Sequence, residues 1–294
     1  MKQHNMFLIL LLFGTVCFAQ KSEKSEVIRK ELKFEKEVPE NVFYLANING
    51  SIDVEAYDGR TIVLEAKKKI IGKTQDRINQ GMQEIGVGVI DRLDTIIVYM
   101  TGPCGKFSNS SKRWNNNGEW CYNWNDCNRS YDFNMDFVVK VPRSMNLYLS
   151  TVNNGDISVA GVLGSQRVQN INGSISIDGI EGKINAHTIN GDVTLNYNKN
   201  PDQDSKYYTL NGDINANFKQ GLSADMKFKS FNGEFYTNLQ DLDYLPSVLE
   251  TSSTKNGKGI SYKLDGKRRM RTGSGGVLLD FETFNGDVYL KEIN

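Results

Sequence analysis

Short stretches in which polar and apolar residues alternate recur along the chain, and each of them follows an Asn-Gly pair. The pairs begin at Asn49, Asn154, Asn172, Asn190, Asn211, Asn232 and Asn285. Steps of 18, 18, 21 and 21 residues lead from Asn154 to Asn232. Such spacing is expected when one supersecondary unit is copied and stacked.

The residues after each Gly predict short strands, because a period of two puts alternate side chains on one buried face. Asp192-Val193-Thr194-Leu195 is one example. The predicted inward set is Ile52, Val54, Ile157, Val159, Ile175, Ile177, Val193, Leu195, Ile214, Ala216, Phe235, Val288 and Leu290.

The Asn-Gly pairs predict tight corners, since both residues tolerate positive φ. A second corner is predicted mid-repeat at Gly161 to Gly164 and at Gly179 to Gly182. Each unit is then two short strands and two corners. The additional Asn153 before Asn154-Gly155 predicts a bulge.

Two architectures fit this unit, an antiparallel meander and a solenoid whose rungs stack in parallel. A meander would leave an apolar face without a covering layer. The sequence therefore favours an all-β fold, a β-solenoid (β-helix) of short stacked rungs with Asn-Gly corners. One short helix is predicted near 74–85, where Ile78, Met82 and Ile85 follow helical spacing.

The first 19 residues read as a signal peptide, with Lys2, an apolar run from Met6 to Phe13 and cleavage after Ala19. The alternative of a lipoprotein with Cys17 as its first mature residue is disfavoured by Val16. Residues 20–37 are expected to form a lead-in, and residues 38–294 a single β-solenoid domain with an insertion at 104–127. The mature chain is expected in the periplasm or at the cell surface, without a transmembrane segment.

Charge gives no case for nucleic acid or an anionic membrane as partner. The chain has 35 basic and 35 acidic residues, and loss of Lys2 leaves a balance of −1. The runs Lys67-Lys68-Lys69 and Lys267 to Arg271 are read as solvated strand edges or loops.

The insertion between Cys104 and Cys127 holds every Trp and every mature Cys of the chain. Cys104, Cys121 and Cys127 are disulfide candidates in an oxidising compartment. Their possible pairings differ by only about 1 kcal/mol in loop-closure free energy, so the pairing stays open. Zinc is disfavoured because no His lies nearby and no Cys-x2-Cys pair occurs.

Two interpretations of this insertion are compatible with each other. In one, it is a disulfide-bonded loop that stabilises the fold; in the other, it is a loop that binds a ligand or partner. Aromatic side chains on a rigid loop stack on sugar rings or anchor a protein partner. The candidate binding residues are Trp114, Trp120, Tyr122 and Trp124.

Catalytic machinery is not evident in the sequence. His187 is the only His of the mature chain and lies inside a repeat, and no nucleophile-elbow sequence occurs. The repeated Asp156, Asp192, Asp213 and Asp287 could suggest calcium or glycoside hydrolysis. They are better explained as corner residues that bind backbone groups, because Ser takes the same position in other repeats. We expect no enzyme activity, cofactor or metal.

The motif at residues 188–193, Thr-Ile-Asn-Gly-Asp-Val, and its copy at 283–288 resemble the bacterial putative-adhesin β-strand-repeat family, a domain family of unknown function. Val139 to Pro142 and Gly273 to Gly276 agree with that pattern. The resemblance covers roughly residues 38–294 and implies an exported β-solenoid of the cell envelope, with no catalytic residues to carry over. The Trp/Cys insertion departs from it.

The sequence thus predicts an exported, non-enzymatic adhesin or envelope interaction protein, with a glycan or another surface protein as partner. A carbohydrate-active β-helix enzyme and a purely structural envelope protein remain the alternatives.

Overall fold

The structure is a computed structural model that describes residues 22–108, 121–124, 128–246, 249–253, 260–264 and 266–294. Side chains are described over 22–105, 128–246 and 266–294.

Almost all regular structure is strand, as predicted. The first strands are β1 (Ser22–Leu32), β2 (Val42–Ala46), β3 (Ile52–Tyr57), β4 (Ile62–Gly72), β5 (Gly86–Asp91), β6 (Thr95–Thr101), β7 (Gly105–Ser108), β8 (Cys121–Trp124), β9 (Tyr131–Pro142), β10 (Asn146–Ser150), β11 (Ile157–Ala160) and β12 (Gln166–Gln169). The remaining strands are β13 (Ile175–Ile180), β14 (Ile184–His187), β15 (Val193–Tyr197), β16 (Ser205–Asn211), β17 (Ile214–Lys219), β18 (Ala224–Lys229), β19 (Phe235–Thr237), β20 (Leu242–Leu245), β21 (Leu249–Ser253), β22 (Ile260–Leu264), β23 (Arg268–Thr272), β24 (Val277–Asn285) and β25 (Val288–Ile293).

Two large open sheets face each other across the core. Sheet A has the order β1-β4-β9-β3-β11-β13-β15-β17-β25-β19, and sheet B has the order β20-β23-β18-β24-β16-β14-β12-β10-β2-β6-β5. The central strands of both sheets pair in parallel, and antiparallel pairs occur at the ends. Each rung therefore contributes one strand to sheet B and the next to sheet A, which confirms the β-solenoid.

Equivalent residues of successive rungs lie side by side. Ile157 pairs with Ile175, Ile175 with Val193, and Val193 with Ile214. The predicted inward set is confirmed, since all its members are buried except Phe235, which is half-buried and packs against the core. Repetition of residue type thus follows from stacking of identical environments.

Buried hydroxyl groups hold the Asn-Gly corners together. The Oγ1 atoms of Thr188, Thr209 and Thr283, two residues before the Asn, donate to the carbonyl of a glycine in the preceding rung at 2.8, 2.8 and 3.1 Å. These threonines are 0–3% exposed. A buried carbonyl without such a donor would carry a desolvation penalty.

Glycine is required at the corner by close approach of the rungs. A Cβ built on Gly212, whose φ is 154°, would lie 2.2 Å from the carbonyl oxygen of Gly191. No L side chain fits there, so the rung spacing itself selects glycine.

The extra asparagine is accommodated as predicted, although the inserted residue is Asn154. Asn153 takes the ladder position, with a parallel bridge to Asn49. Asn154 adopts φ = 58°, the left-handed conformation that Asn tolerates better than most residues.

The rung that comes last in sequence is not last in space. β25 lies between β17 and β19, and β24 lies between β16 and β18. In turn β18 lies between the sequence neighbours β23 and β24. The two rungs at this end are therefore interleaved, which the spacing of the repeats did not predict.

The predicted helix is confirmed as α1 (Gln75–Glu84), with Thr74 as its N-cap. In the described part of the chain, no helix has the length and apolar character needed to cross a membrane.

Lys68 corrects the interpretation of Lys67 to Lys69 as a solvated edge. Its side chain is 4% exposed. Its Nζ donates to the carbonyls of Met82 and Ile85 at 2.8 and 3.0 Å and pairs with Glu26 at 2.8 Å. Carbonyls at a helix C-terminus favour a cation, so Lys68 ties α1 to β4.

The second basic cluster is also more constrained than expected. Lys267 pairs with Asp280 at 2.7 Å, and Arg271 pairs with Asp225 through two bonds of 2.6 and 2.9 Å. Met270, between them in sequence, is buried. This segment is an ion-paired strand rather than a free basic patch.

We predict that Thr209→Val lowers the free energy of unfolding by about 1–2 kcal/mol, because a buried carbonyl loses its hydroxyl donor at nearly constant volume. The control is Thr194→Val on the outer face of sheet A, with an expected change within about 0.5 kcal/mol. Denaturant unfolding measures both. Equal losses would contradict the assigned role of the Thr209 hydroxyl.

Candidate interaction surface

Three columns of side chains run along the edge formed by the Asn-Gly corners, and we call them together the corner ridge. The apolar column arises because the residue after the inward Thr, Ser or Asn points outward, as alternation along a strand requires. The apolar column contains Val152, Ile171, Ile189, Leu210, Phe284 and Phe231; the amide column contains Asn153, Asn172, Asn190, Asn211, Asn285 and Asn232; the acidic column contains Asp156, Ser174, Asp192, Asp213, Asp287 and Glu234.

The amide column is a continuous hydrogen-bonded ladder. Each Asn Nδ2 donates to the Oδ1 of the Asn on the adjacent rung, at 2.7 to 2.8 Å over all five steps. A primary amide has two N–H donors and two acceptor lone pairs. Each exposed amide therefore keeps one donor and one acceptor site for a ligand.

The apolar column leaves large side chains open to solvent. Ile171 is 42% exposed, Phe284 43% and Phe231 73%. The rings of Phe231 and Phe284 stack with centroids 4.8 Å apart and planes inclined by 5°. Aligned exposed apolar side chains beside polar groups are typical of an interaction site.

The acidic column confirms the interpretation of the repeated Asp as corner residues. Asp192, Asp213 and Asp287 each accept, through Oδ1, the backbone N–H of the next rung at 2.8 Å. Among the residues that the structure describes, no group of three or more His, Cys, Asp or Glu side chains could hold a metal ion.

The ridge is a linear surface with a fixed period. Neighbouring strands lie about 4.8 Å apart, so six rungs span about 24 Å. One amide group and one apolar group recur on every rung.

The sequence-predicted binding residues lie elsewhere, on the insertion after β6. β7 and β8 form an antiparallel hairpin in which Gly105 pairs with Trp124 and Phe107 with Tyr122. Trp114, Trp120 and Cys127 fall outside the described residues. Cys104 is 4% exposed and disulfide-bonded; its partner among the cysteines stays a prediction.

The hairpin and the aromatic end of the ridge occupy separate parts of the molecule. β6, from which the hairpin departs, lies at the opposite end of sheet B from β18. The two surfaces can therefore be altered independently.

In the sequence motif at residues 188–193 an apolar residue precedes the Asn, and no surface role was predicted for that position. Alternation along the strand is the sequence signal that identifies it. In this motif Thr188 points inward, so the apolar residue that follows it, Ile189, must point outward. Phe231 and Phe284 are the members that this reading would have selected first.

His187 lies on β14 at the outer face of sheet B, as the ordinary strand residue that was expected. Its ring contacts Tyr208 with centroids 4.4 Å apart. Burial, and secondarily the charge of Arg167, lower the pKa of His187 below its usual 6.5. The neutral imidazole is therefore the favoured form at neutral pH.

A cavity of about 360 Å³ at the second corner edge is lined by two carboxylates, Glu37 and Asp58. Arg143 donates to Asp58 at 2.6 Å, and this hydrogen bond and its charge lower the pKa of Asp58. A glycosidase acid needs a raised pKa, so Asp58 is poorly suited to that role.

We predict that stability falls as the pH drops from about 6.5 toward the lowered pKa of His187. The unfolded state binds the proton more readily than the folded state there, so the free energy of unfolding rises with pH through this window. His187→Gln should lose less stability than wild type between neutral and acidic pH, measured by denaturant unfolding. Asn185→Gln, on the same strand, should keep the wild-type dependence; equal pH dependence of all three would contradict the prediction.

Two solved structures are similar over most of the chain. A putative cell adhesion protein from Clostridium sporogenes shares 11% identity with a TM-score of 0.37, covering 92% of this chain and 100% of its own. A putative adhesin from Bacteroides fragilis shares 13% identity with a TM-score of 0.36, covering 91% of this chain and 97% of its own. No curated protein matches the sequence.

A family model gives the more specific comparison. It matches the central rungs, including the Asn153 to Asn232 corners. The resemblance to the putative-adhesin repeat family is thereby confirmed: residues 135–277 match the Toastrack DUF4097 family.

Proposed function

We propose that this protein is an exported, non-enzymatic, adhesin-like protein that binds a surface polymer through its corner ridge. The observation that carries the proposal is the ridge itself. There, exposed apolar side chains lie beside a ladder of Asn amides that still have free hydrogen-bond donor and acceptor sites. Such a surface offers apolar contact area and directional hydrogen bonds along one line.

The chemistry of the ridge suits binding rather than catalysis. Its carboxylates are engaged by backbone N–H groups of neighbouring rungs. Its amides neither donate nor accept protons as acids or bases at neutral pH. An enzyme acting at the Asp58 cavity would meet the ionised carboxylate that Arg143 favours.

The site of action in this proposal is the periplasm or the cell surface. The signal peptide predicted at residues 1–19 supports export. A disulfide at Cys104 is compatible with an oxidising compartment. The insertion at 104–127, with Trp114, Trp120, Tyr122 and Trp124, is proposed as a second contact surface.

Attachment of protein-coated beads to bacterial cells tests the ridge. Phe231→Ser combined with Phe284→Ser should reduce attachment about tenfold, because two exposed apolar anchors are lost. The matched control is Tyr236→Ser with Tyr289→Ser, which removes another stacked aromatic pair from the same two rungs on the outer face of sheet A. Thermal unfolding checks that both variants fold.

Normal attachment by the Phe variant would overturn the ridge as contact surface. Loss of attachment only on replacing Trp114, Trp120 and Trp124 by Ala would move the site to the hairpin. Release of soluble sugars from purified polysaccharide would support the enzyme instead.

We also predict that the exported protein begins at Gln20 and holds one intramolecular disulfide. Intact mass should rise by two hydrogens on reduction if, as proposed, two of Cys104, Cys121 and Cys127 are paired. The same protein carrying Cys104→Ser should lose the Cys104 bond. A mature chain with three free thiols, or one that retains residues 1–19, would contradict this prediction.

A further inference from the structure

We infer that the ligand of the corner ridge is a neutral, linear, β-linked polysaccharide that lies lengthwise along the ridge with one sugar unit per rung. The inference rests on the proposed function and names the polymer that this surface fits. It follows from the period, charge and composition of the three columns.

The period of the ridge distinguishes between classes of extended polymer. Ridge groups recur about every 4.8 Å, whereas an extended peptide advances about 3.3 Å per residue and repeats its side-chain direction only after two residues. A peptide would fall out of step within a few rungs. A β-1,4-linked hexose chain advances by nearly one rung per sugar and turns its ring by about half a turn at each unit. Its two-sugar repeat therefore spans about two rungs, and every second unit meets an equivalent set of groups.

The amide column matches sugar hydroxyls in kind. After the ladder bonds of Asn190, Asn211 and Asn285 are made, each amide retains one N–H and one lone pair. A hydroxyl can both donate and accept, so a vicinal pair of hydroxyls can satisfy one amide in a bidentate way. The same pairing would then repeat at every second sugar along the chain.

The acidic column selects against charged polymers. Asp192, Asp213, Asp287 and Glu234 line the same edge on consecutive rungs. A uronate, a phosphate backbone or a sulfated glycan would bring like charge beside them, which disfavours binding. The surface therefore fits a neutral sugar chain.

The apolar column supplies the face on which sugar rings pack. Phe231 and Phe284 lie on the two outermost rungs of the ridge and expose the largest apolar area. Aromatic side chains offer flat, rigid contact for the C–H face of a pyranose. This end anchors the polymer, and Leu210, Ile189 and Ile171 extend the contact toward the other end.

The experiment is a length series, from dimer to octamer, of cello- and chito-oligosaccharides, measured by isothermal titration calorimetry with the whole mature protein. Affinity should rise with each added unit until about six units cover the roughly 24 Å of ridge and then level off. The double variant of Phe231 and Phe284 to Ser should lose about tenfold in affinity at every length. The double variant of Tyr236 and Tyr289 to Ser should bind as wild type does.

A second variant checks the amide contribution independently. Asn190→Asp keeps the shape of the side chain but replaces donors by charge, and it should weaken the longer oligosaccharides more than the dimer. Oligoglucuronates of the same lengths and the same β-1,4 linkage, made by oxidising cello-oligosaccharides at C6, are the charged arm, and they should bind more weakly than the neutral series.

Affinity that does not change beyond the dimer, or a preference for the charged series, would overturn the lengthwise placement. If no oligosaccharide binds while the Phe variant still loses attachment to cells, the inference fails and the proposed function stands. If the Phe variant also attaches normally, the proposed function fails with it.

Discussion

The corner where each rung meets the next is the constraint on which the rest of the molecule depends. A glycine carbonyl of one rung accepts the buried hydroxyl of a Thr in the following rung, and the next glycine lies so close that no Cβ fits. Both requirements are met in one register only. A slip of one residue would place the Thr outside and leave a buried carbonyl without a donor. The corner thus fixes the stacking, and the stacking in turn buries Ile, Val and Leu in a shared core.

The surface properties of the protein follow from the same constraint. Because equivalent positions must stack, any outward residue type that recurs in the repeat becomes a straight column on the surface. The Asn ladder stabilises the edge and at the same time displays amides at a fixed interval. The apolar column varies in size along the ridge, from Val and Ile at one end to Phe at the other. Structural repetition and a one-dimensional binding surface are therefore two aspects of one sequence pattern.

Much of the fold could be predicted from the sequence because its determinants are local and repeated. The inward residues, the two corners, the helix with Ile78 and the extra asparagine near Asn153 all follow from period, turn chemistry or residue count. Lys68 was misjudged because its partners, the carbonyls of Met82 and Ile85, come from a helix end that only the folded chain brings near. The position of the rung with Asn285 was beyond local reasoning, since every rung offers the same ladder bonds to its neighbours. The corner ridge could also be predicted from alternation along the strands, but the Trp/Cys insertion has the more unusual composition and so gives the stronger signal in the sequence.

The interleaved end of the solenoid has a mechanical consequence. The rung formed by β24 and β25 is bonded on one side to β16 and β17 and on the other to β18 and β19. Tension applied to it cannot peel a free terminal layer one bond at a time. It must shear two parallel ladders at once, and in shear the hydrogen bonds of both ladders share the load. An attachment at Phe284 therefore pulls on a rung that is bonded to a neighbouring rung on each side.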